Sequence, residues 1–225
     1  MDNILRYPDS CVVNRVVPKT MFYRFMEVNP RMKTRFVNDI VNITWLYKLS
    51  SDSLNVTDSD DMKEVEIFVA ALKQPDCPQD LFTFIDANMP HHIVFILTYE
   101  NNAMLLINYK NWSDATHTKF NIVKSFISPW VSIDALQLPV EGQSLSRIYD
   151  NFVASISGIG EHKAGEMAHI VELKKKIAAK EVELKATESK MRKEPQFDLQ
   201  MQMNKKVKAL RKELADLQES VDKLK

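Results

Sequence analysis

Residues 65–99 read VEIFVAALKQPDCPQDLFTFIDANMPHHIVFILTY, a short helix pattern between two apolar runs. The first run, Val65–Lys73, and the second, His92–Tyr99, are rich in β-branched and aromatic residues and have the length of buried strands. Two prolines end the first run, and Gln79–Ala87 then favours a helix. The stretch therefore predicts a strand, a helix and a second strand at the centre of the fold.

Strand and helix patterns also flank this centre. Strands are predicted at residues 43–49, 103–109 and 119–123, and helices at residues 19–27, 30–40 and 144–156. Asn29 stands directly before Pro30, an arrangement typical of the first turn of a helix. The order of elements predicts an α/β or α+β domain over residues 1–157, with a mixed sheet flanked by helices.

The C-terminal part of the chain has a heptad pattern. Its apolar residues are spaced 4, 3, 4, 3, 4 and 3 positions apart, and they are Met203, Val207, Leu210, Leu214, Leu217, Val221 and Leu224. Such a seam needs a second helix to cover it, so these residues are predicted to bind a partner or a helix of the same chain. A glycine hinge at residues 158–160 leads into a first helical run, residues 161–192, and Pro195 separates that run from the second. Residues 161–225 are therefore predicted to form a coiled coil or a helical hairpin, and the sequence leaves both open.

The charge of the chain is unevenly distributed, although its formal net charge is +0. From residue 161 onward there are 16 Lys and Arg against 12 Asp and Glu, whereas the first 160 residues have 14 against 18. In a hairpin that turns near Pro195, basic residues from both helices would meet, and they are Lys190, Arg192, Lys193, Lys205, Lys206, Lys208, Arg211 and Lys212. These eight are candidates for contact with DNA phosphates or with an acidic partner. The alternative, which the pattern favours, is the solvated face of a coiled coil.

Glycine and cysteine usage excludes several classes of protein. The four glycines all lie at or after Gly142, so the residues before it offer no P-loop, Rossmann turn or nucleophile elbow. Cys11 and Cys77 form no metal-binding spacing and no disulfide framework. The start of the chain lacks an apolar signal segment, and the longest apolar run, Ile93–Leu97, is far shorter than a membrane span. We therefore expect a cytoplasmic protein without a cofactor, a metal ion or a membrane anchor.

Two further groups of residues favour structural roles. His91 and His92 are adjacent at the start of a strand and so point to opposite faces, which makes a shared metal ion difficult. Trp45, Tyr47 and Phe68 could form a base-stacking platform, but the acidic balance of the first 160 residues favours core packing instead.

Several segments of the first 157 residues together resemble one bacterial family. They are NRVVPKTMFY at residues 14–23, ITWLYKL at residues 43–49, MPHHIVFIL at residues 89–97 and YDNFV at residues 149–153. The resemblance is to the family called domain of unknown function 4391; it covers about residues 12–157, and the helical tail resembles the one that many members carry. It implies an intracellular bacterial protein. It also implies a defence setting, because members of the family are often found near DNA methyltransferases and helicases in restriction and anti-phage defence clusters. It implies no catalytic residue.

The resemblance leaves an assembly role and a nuclease role as alternatives. A PD-(D/E)xK nuclease site needs carboxylates at strand ends to hold Mg²⁺ and a nearby lysine, for which Asp60 or Asp61 and Lys73 are the candidates. Family members often end the strand that corresponds to residues 65–73 with Glu-Leu-Lys, whereas Ala71 occupies the acidic position here. We therefore predict a non-enzymatic subunit of an anti-phage defence or restriction-type complex that docks onto a helicase, nuclease or methyltransferase. The alternative is a metal-dependent nuclease, active or degenerate, that acts on DNA in the same setting.

Overall fold

The structure is a computed structural model that describes residues 4–57, 62–112, 120–160 and 165–224. Contacts between residues divide the chain into two units, residues 1–159 and residues 160–225. We call the first unit the body and the second the hairpin arm.

The body contains one mixed sheet with helices on both faces. Its strands are β1 (Val12–Val16), β2 (Ile40–Ser50), β3 (Glu64–Leu72), β4 (His92–Tyr99), β5 (Asn102–Trp112), β6 (Phe120–Ile127) and β7 (Val131–Ser132). Its helices are α1 (Lys19–Phe25), α2 (Pro30–Asp39), α3 (Ser51–Leu54), α4 (Gln79–Ala87) and α5 (Leu145–Ser157). Within the described residues the strands lie in the order β1-β2-β3-β4-β5-β6, with β7 beside β5, and β3 and β4 pair in parallel through the α4 crossover. The mixed α/β fold that the sequence predicts is confirmed.

The central elements have nearly the predicted bounds, because runs that are buried on both faces are uniformly apolar. Strand β4 and helix α4 begin and end where the sequence pattern does. The pattern misses β1, since four of its five residues are exposed and give no regular alternation. It also predicts no helix at α3, although Ser50 caps that short helix through a reciprocal bond with Ser53.

The sheet has a different core on each face. Phe68 and Ala70 of β3 share a buried cluster with Phe36 of α2 and Phe82 of α4, because residues two apart in a strand point to the same side. On the opposite face, helix α5 packs against β3, β5 and β6. The body therefore has three layers, in which α1, α2 and α4 cover one face of the sheet and α5 covers the other.

The aromatic residues of β2 and β3 belong to these two cores. The rings of Trp45 and Phe68 stack with their centroids 6.2 Å apart. A register shift after Trp45 turns Tyr47 toward the other face, where it is fully buried against the ring of Tyr7. Tyr47 and Phe68 are core residues, as predicted, and Trp45 is half-buried against the same core.

Asn29 caps the N-terminus of α2, as the Asn-Pro pattern predicts. Its side-chain oxygen accepts a hydrogen bond of 2.9 Å from the backbone N–H of Met32. We expect Asn29→Ala to lower the free energy of unfolding by about 1 kcal/mol, because that N–H loses its partner. Urea unfolding followed by tryptophan fluorescence measures the change. Asn29→Asp keeps the acceptor and should stay close to the parent; an equal loss in both variants would contradict the capping role.

The hairpin arm consists of two antiparallel helices, α6 (Met167–Lys193) and α7 (Phe197–Asp222). The break between them contains Pro195, where the sequence predicts it, and the predicted start of the first run at residue 161 lies outside the described residues. A helical hairpin is confirmed, so the second helix that the heptad seam requires comes from the same chain. No helix in the described part of the chain is long and apolar enough to cross a bilayer.

Candidate docking surface and polar cluster

The heptad seam of α7 is covered within the arm. Four of its residues, Val207, Leu210, Leu214 and Val221, are buried, and Met203, Leu217 and Leu224 are half-buried. Three ion pairs join the two helices beside the seam: Lys180–Glu213 at 2.6 Å, Glu183–Lys206 at 2.8 Å and Glu188–Arg211 at 2.8 Å. The seven residues that the sequence offers for partner binding therefore hold the arm together, because α6 supplies the covering helix.

The two ends of the arm differ in charge. Residues 184–212, which include the turn, contain nine Lys and Arg against three Asp and Glu, whereas the other end, residues 165–183 and 213–224, contains five Lys against eight Asp and Glu. All eight candidate nucleic-acid contacts lie in the basic part and are exposed: Lys190, Arg192, Lys193, Lys205, Lys206, Lys208, Arg211 and Lys212. Basic clusters of both helices thus lie in the part of the arm that includes the turn, and Lys206 and Arg211 of α7 are also used in ion pairs with Glu183 and Glu188 of α6.

Exposed apolar residues accompany this basic part of the arm. Phe197 and Met201 at the start of α7 are 71% and 44% exposed and lie four residues apart on the same face of the helix, and we call these two the turn patch. They precede the first seam residue and do not belong to the seam. Exposed apolar side chains rimmed by polar residues mark interaction sites. The sequence does not predict the turn patch because the heptad pattern considers only the seam positions. Apolar residues before the first seam position are the signal that could have indicated the patch.

In the body, charged side chains meet at one end of the sheet. Glu64 and Glu66 of β3 point to the same face because they are two residues apart. The parallel strand β4 begins in register beside them, which places His91 next to Glu64. On the other side of β3, Lys48 of β2 lies opposite Glu66. We call Glu64, Glu66 and His91 the acid–imidazole cluster.

The metal-binding atoms of the acid–imidazole cluster all lie within 4.8 Å of one another. The Glu64 carboxylate has Lys48 Nζ at 2.6 Å from one oxygen and His91 Nε2 at 3.7 Å from the other. Glu66 is 5% exposed, and its Oε2 atom has no hydrogen-bond partner among the described residues. Burial, together with the Glu64 charge, raises the pKa of Glu66 to about 7. Burial also lowers the pKa of His91, although the Glu64 charge opposes that shift.

A buried ion pair of Lys110 and Asp86 ties β5 to the end of α4. Both side chains are fully buried, and Lys110 Nζ lies 2.7 Å from Asp86 Oδ1. The same ammonium donates to the carbonyl oxygen of His91 at 2.6 Å, and Asn108 donates to Asp86 Oδ2 at 2.9 Å. Burial lowers the pKa of Lys110, and the Asp86 carboxylate offsets part of that shift. The pair therefore fixes the backbone that positions His91.

His92 has a structural role on the opposite face of the sheet from His91. Its ring packs edge-on against the rings of Phe120 and Tyr149, with centroid distances of 5.0 and 4.6 Å. Burial, together with the nearby Lys110 charge, lowers the pKa of His92 to about 3, so the ring is neutral. The two adjacent histidines therefore serve different faces, as the alternation of a strand predicts.

One comparison with known families matches both units of the chain. The sequence model described as "Domain of unknown function (DUF4391)" matches residues 5–214. The chain belongs to this family. The resemblance seen in the strand and helix segments is thereby confirmed, and because the match ends within α7, the 4391 domain includes the body and most of the hairpin arm. No curated protein and no solved structure matches the chain.

In this member of the 4391 family, the candidate nuclease lysine caps a helix. Lys73 Nζ donates to the carbonyl oxygen of Val37 at 2.7 Å, and its backbone N–H donates to Asp39 at 2.9 Å, so Lys73 satisfies the C-terminal end of α2. Asp60 and Asp61 lie outside the described residues. Glu64 opens β3 and Lys73 follows its last residue, so the strand separates their backbones by about 30 Å. The described carboxylates near the start of β3 are therefore not brought together with Lys73.

Proposed function

We propose that this member of the 4391 family is a non-enzymatic assembly subunit of a bacterial anti-phage defence or restriction-type complex. The observation that carries the proposal is the turn end of the hairpin arm, where the exposed turn patch lies in a part of the arm with nine basic and three acidic residues. A helicase, nuclease or methyltransferase docks there, in the bacterial cytoplasm. The defence setting rests on the family resemblance, and the inclusion of the arm in the family match supports a shared use of the arm.

The turn patch has the chemistry of a protein interface. Phe197 supplies an aromatic anchor, and aromatic and arginine side chains dominate the energetic centres of interfaces. The surrounding lysines and arginines complement an acidic surface on the partner, or DNA phosphates that the partner holds, and they make the association sensitive to salt. The buried heptad seam supports coiled-coil packing of α6 on α7, which presents the turn patch on a stiff support.

Co-purification from the native host tests the docking surface. A tagged chain is expressed with its neighbouring genes, and the parent is compared with the double variant Phe197→Ser/Met201→Ser. We expect the parent to recover a helicase, nuclease or methyltransferase and the variant to lose most of it, because central apolar anchors of an interface contribute about 2 kcal/mol or more each. Mass spectrometry identifies the co-purified protein, and higher salt should weaken its recovery with the parent.

Val182→Ser is the matched control for this experiment. Val182 is 69% exposed, close to the exposure of Phe197, but it lies on α6 outside the turn patch. This variant should retain the partner, and circular dichroism should show equal helix content in all three proteins. A turn-patch variant that still recovers the partner would refute the docking surface. A parent that purifies alone would refute the assembly role, and direct salt-sensitive capture of DNA would replace the protein partner with nucleic acid.

A nuclease assay separates the proposal from its alternative. The purified chain is incubated with plasmid DNA and Mg²⁺ or Mn²⁺, beside a Lys73→Ala variant. We expect intact plasmid in both, because Lys73 is engaged with the carbonyl oxygen of Val37 at the end of α2. Cleavage by the parent that is lost in Lys73→Ala would establish the nuclease in place of the assembly subunit.

A further inference from the structure

We propose that Glu64, Glu66 and His91 form a binding site for one divalent transition-metal ion of the zinc type. The inference concerns the body alone and does not depend on the docking surface of the arm. It rests on the placement of the three side chains by neighbouring strands, on the spacing of their ligand atoms, and on a buried carboxylate oxygen that lacks a partner.

The sheet places the three side chains before any ion binds. Glu64 and Glu66 share one face of β3, and His91 directly precedes the parallel strand β4 beside Glu64. The position of His91 is further fixed by Lys110, whose buried ammonium binds its carbonyl oxygen at 2.6 Å. Ligands that are held by strands and supporting hydrogen bonds need little rearrangement to bind a metal ion.

The spacing of the ligand atoms is close to that of a coordination shell. Zinc binds histidine nitrogen and carboxylate oxygen at about 2.0–2.2 Å, which places neighbouring ligand atoms roughly 3–4 Å apart. One ligand atom from each of Glu64, Glu66 and His91 lies within 4.8 Å of the other two. Small side-chain rotations therefore bring all three within bonding distance of one ion.

Glu66 gives the independent indication that a ligand belongs here. Its side chain is 5% exposed, and Oε2 has no hydrogen-bond partner among the described residues. Buried polar atoms are nearly always satisfied, since an unsatisfied one loses hydration without compensation. A cation bound between Glu66 and its two neighbours in the cluster would compensate this buried carboxylate.

The chemistry of the three ligands indicates which kind of metal ion the site would bind. One imidazole and two carboxylates suit zinc and related transition metals, whereas magnesium and calcium prefer oxygen ligands alone. Three protein ligands leave a fourth position for water. Lys48 lies 2.6 Å from Glu64 Oε1, so its ammonium competes with the ion for that carboxylate. Removing Lys48 should therefore strengthen metal binding, which an unrelated surface site would not show.

Titration of the purified full chain with Zn²⁺ tests the site, with Co²⁺ as a coloured substitute whose absorption reports the ligands. We expect one ion per chain for the parent, a rise in its melting temperature with Zn²⁺, and affinity lower by roughly 100-fold or more in Glu66→Gln and in His91→Gln, since changes outside the ligand shell alone cost about 10–100-fold. Lys48→Met should bind Zn²⁺ more tightly than the parent. His169→Gln removes an exposed histidine elsewhere and should bind like the parent.

Melting curves without metal show which variants are folded, and both glutamine replacements are close in size to the residues they replace. Equal Zn²⁺ affinity in the parent, Glu66→Gln and His91→Gln would overturn the proposal. So would a parent that binds no Zn²⁺, weaker binding by Lys48→Met, or loss of the ion from His169→Gln. Loss of binding confined to folded Glu66→Gln and His91→Gln, with a gain in Lys48→Met, establishes the site.

Discussion

Replacement of Lys110 with methionine is expected to lower the free energy of unfolding of the body by about 3–5 kcal/mol. The Lys110 ammonium is fully buried, 2.7 Å from Asp86, and it also binds the backbone carbonyls of Asp86 and His91. Without it, the Asp86 carboxylate stays buried without its cation, and the segment before β4 loses its anchor. Urea unfolding followed by tryptophan fluorescence measures the loss.

Two further variants test whether the loss of stability comes from the unpaired Asp86 charge. Asp86→Leu/Lys110→Met should recover most of the lost stability, because neither charge is then buried alone. Lys63→Met removes an exposed lysine and should change the free energy of unfolding by less than about 0.5 kcal/mol. A Lys110→Met protein as stable as the parent would show that the buried pair contributes nothing to holding α4 on the sheet.

Replacement of Leu210 with aspartate is expected to unfold the hairpin arm while the body stays folded. Leu210 is 3% exposed in the α7 seam. An ionised carboxylate at that position loses its hydration and gains no partner, which costs several kcal/mol. Helices in proteins depend mainly on packing of their apolar face, so α6 and α7 should lose helix together. Far-ultraviolet circular dichroism measures that loss.

The tryptophans allow the folding of the body to be measured in the same experiment. Trp45, Trp112 and Trp130 all belong to the body, so their fluorescence and near-ultraviolet dichroism report whether the body is folded. These signals should be unchanged in Leu210→Asp. Ala209→Asp places the same charge on the exposed side of α7 and should keep its helix content. Unchanged helix content in Leu210→Asp would contradict the buried seam, and a lost tryptophan signal would contradict the expectation that the body stays folded.

Because the seam is buried, substitutions within it cannot test the proposed docking. Aspartates at Leu210, Leu214 and Leu217 would disrupt the arm itself, because Leu210 and Leu214 are buried and Leu217 is half-buried. Loss of a partner in such a protein would not distinguish a missing contact from a missing fold. The turn patch avoids this ambiguity, since Phe197 and Met201 are exposed and can be changed without removing the seam.

The sequence predicts the centre of the fold well because that centre has strong local signals. Strand β4 is buried along nearly its whole length and reads as one apolar run, and α4 is set off by prolines before it. Strand β1 has no such signal, because it lies at the edge of the sheet with most of its residues exposed. The heptad spacing predicts that a helix covers the seam, but spacing alone does not say which helix.

The sequence does not predict the acid–imidazole cluster, for a different reason. Its members are two residues of β3 and the residue that precedes β4, and only the parallel register of the two strands brings His91 beside Glu64. The alternation of Glu64 and Glu66 on one strand and the histidine just before the next strand are visible in the chain. Their meeting depends on pairing, which local patterns do not determine. The same limit applies to Lys73, whose role as a cap depends on the nearby end of α2.

The continuous helices of the arm make it a spacer of defined length. Helix α6 has 27 residues and rises about 40 Å from Met167 to the turn. The seam repeats every seven residues, so removing or adding one heptad in each helix changes the reach by about 10 Å and keeps the apolar residues in phase. The reach of the turn patch is therefore adjustable in steps of one heptad, independently of the residues that make contact there.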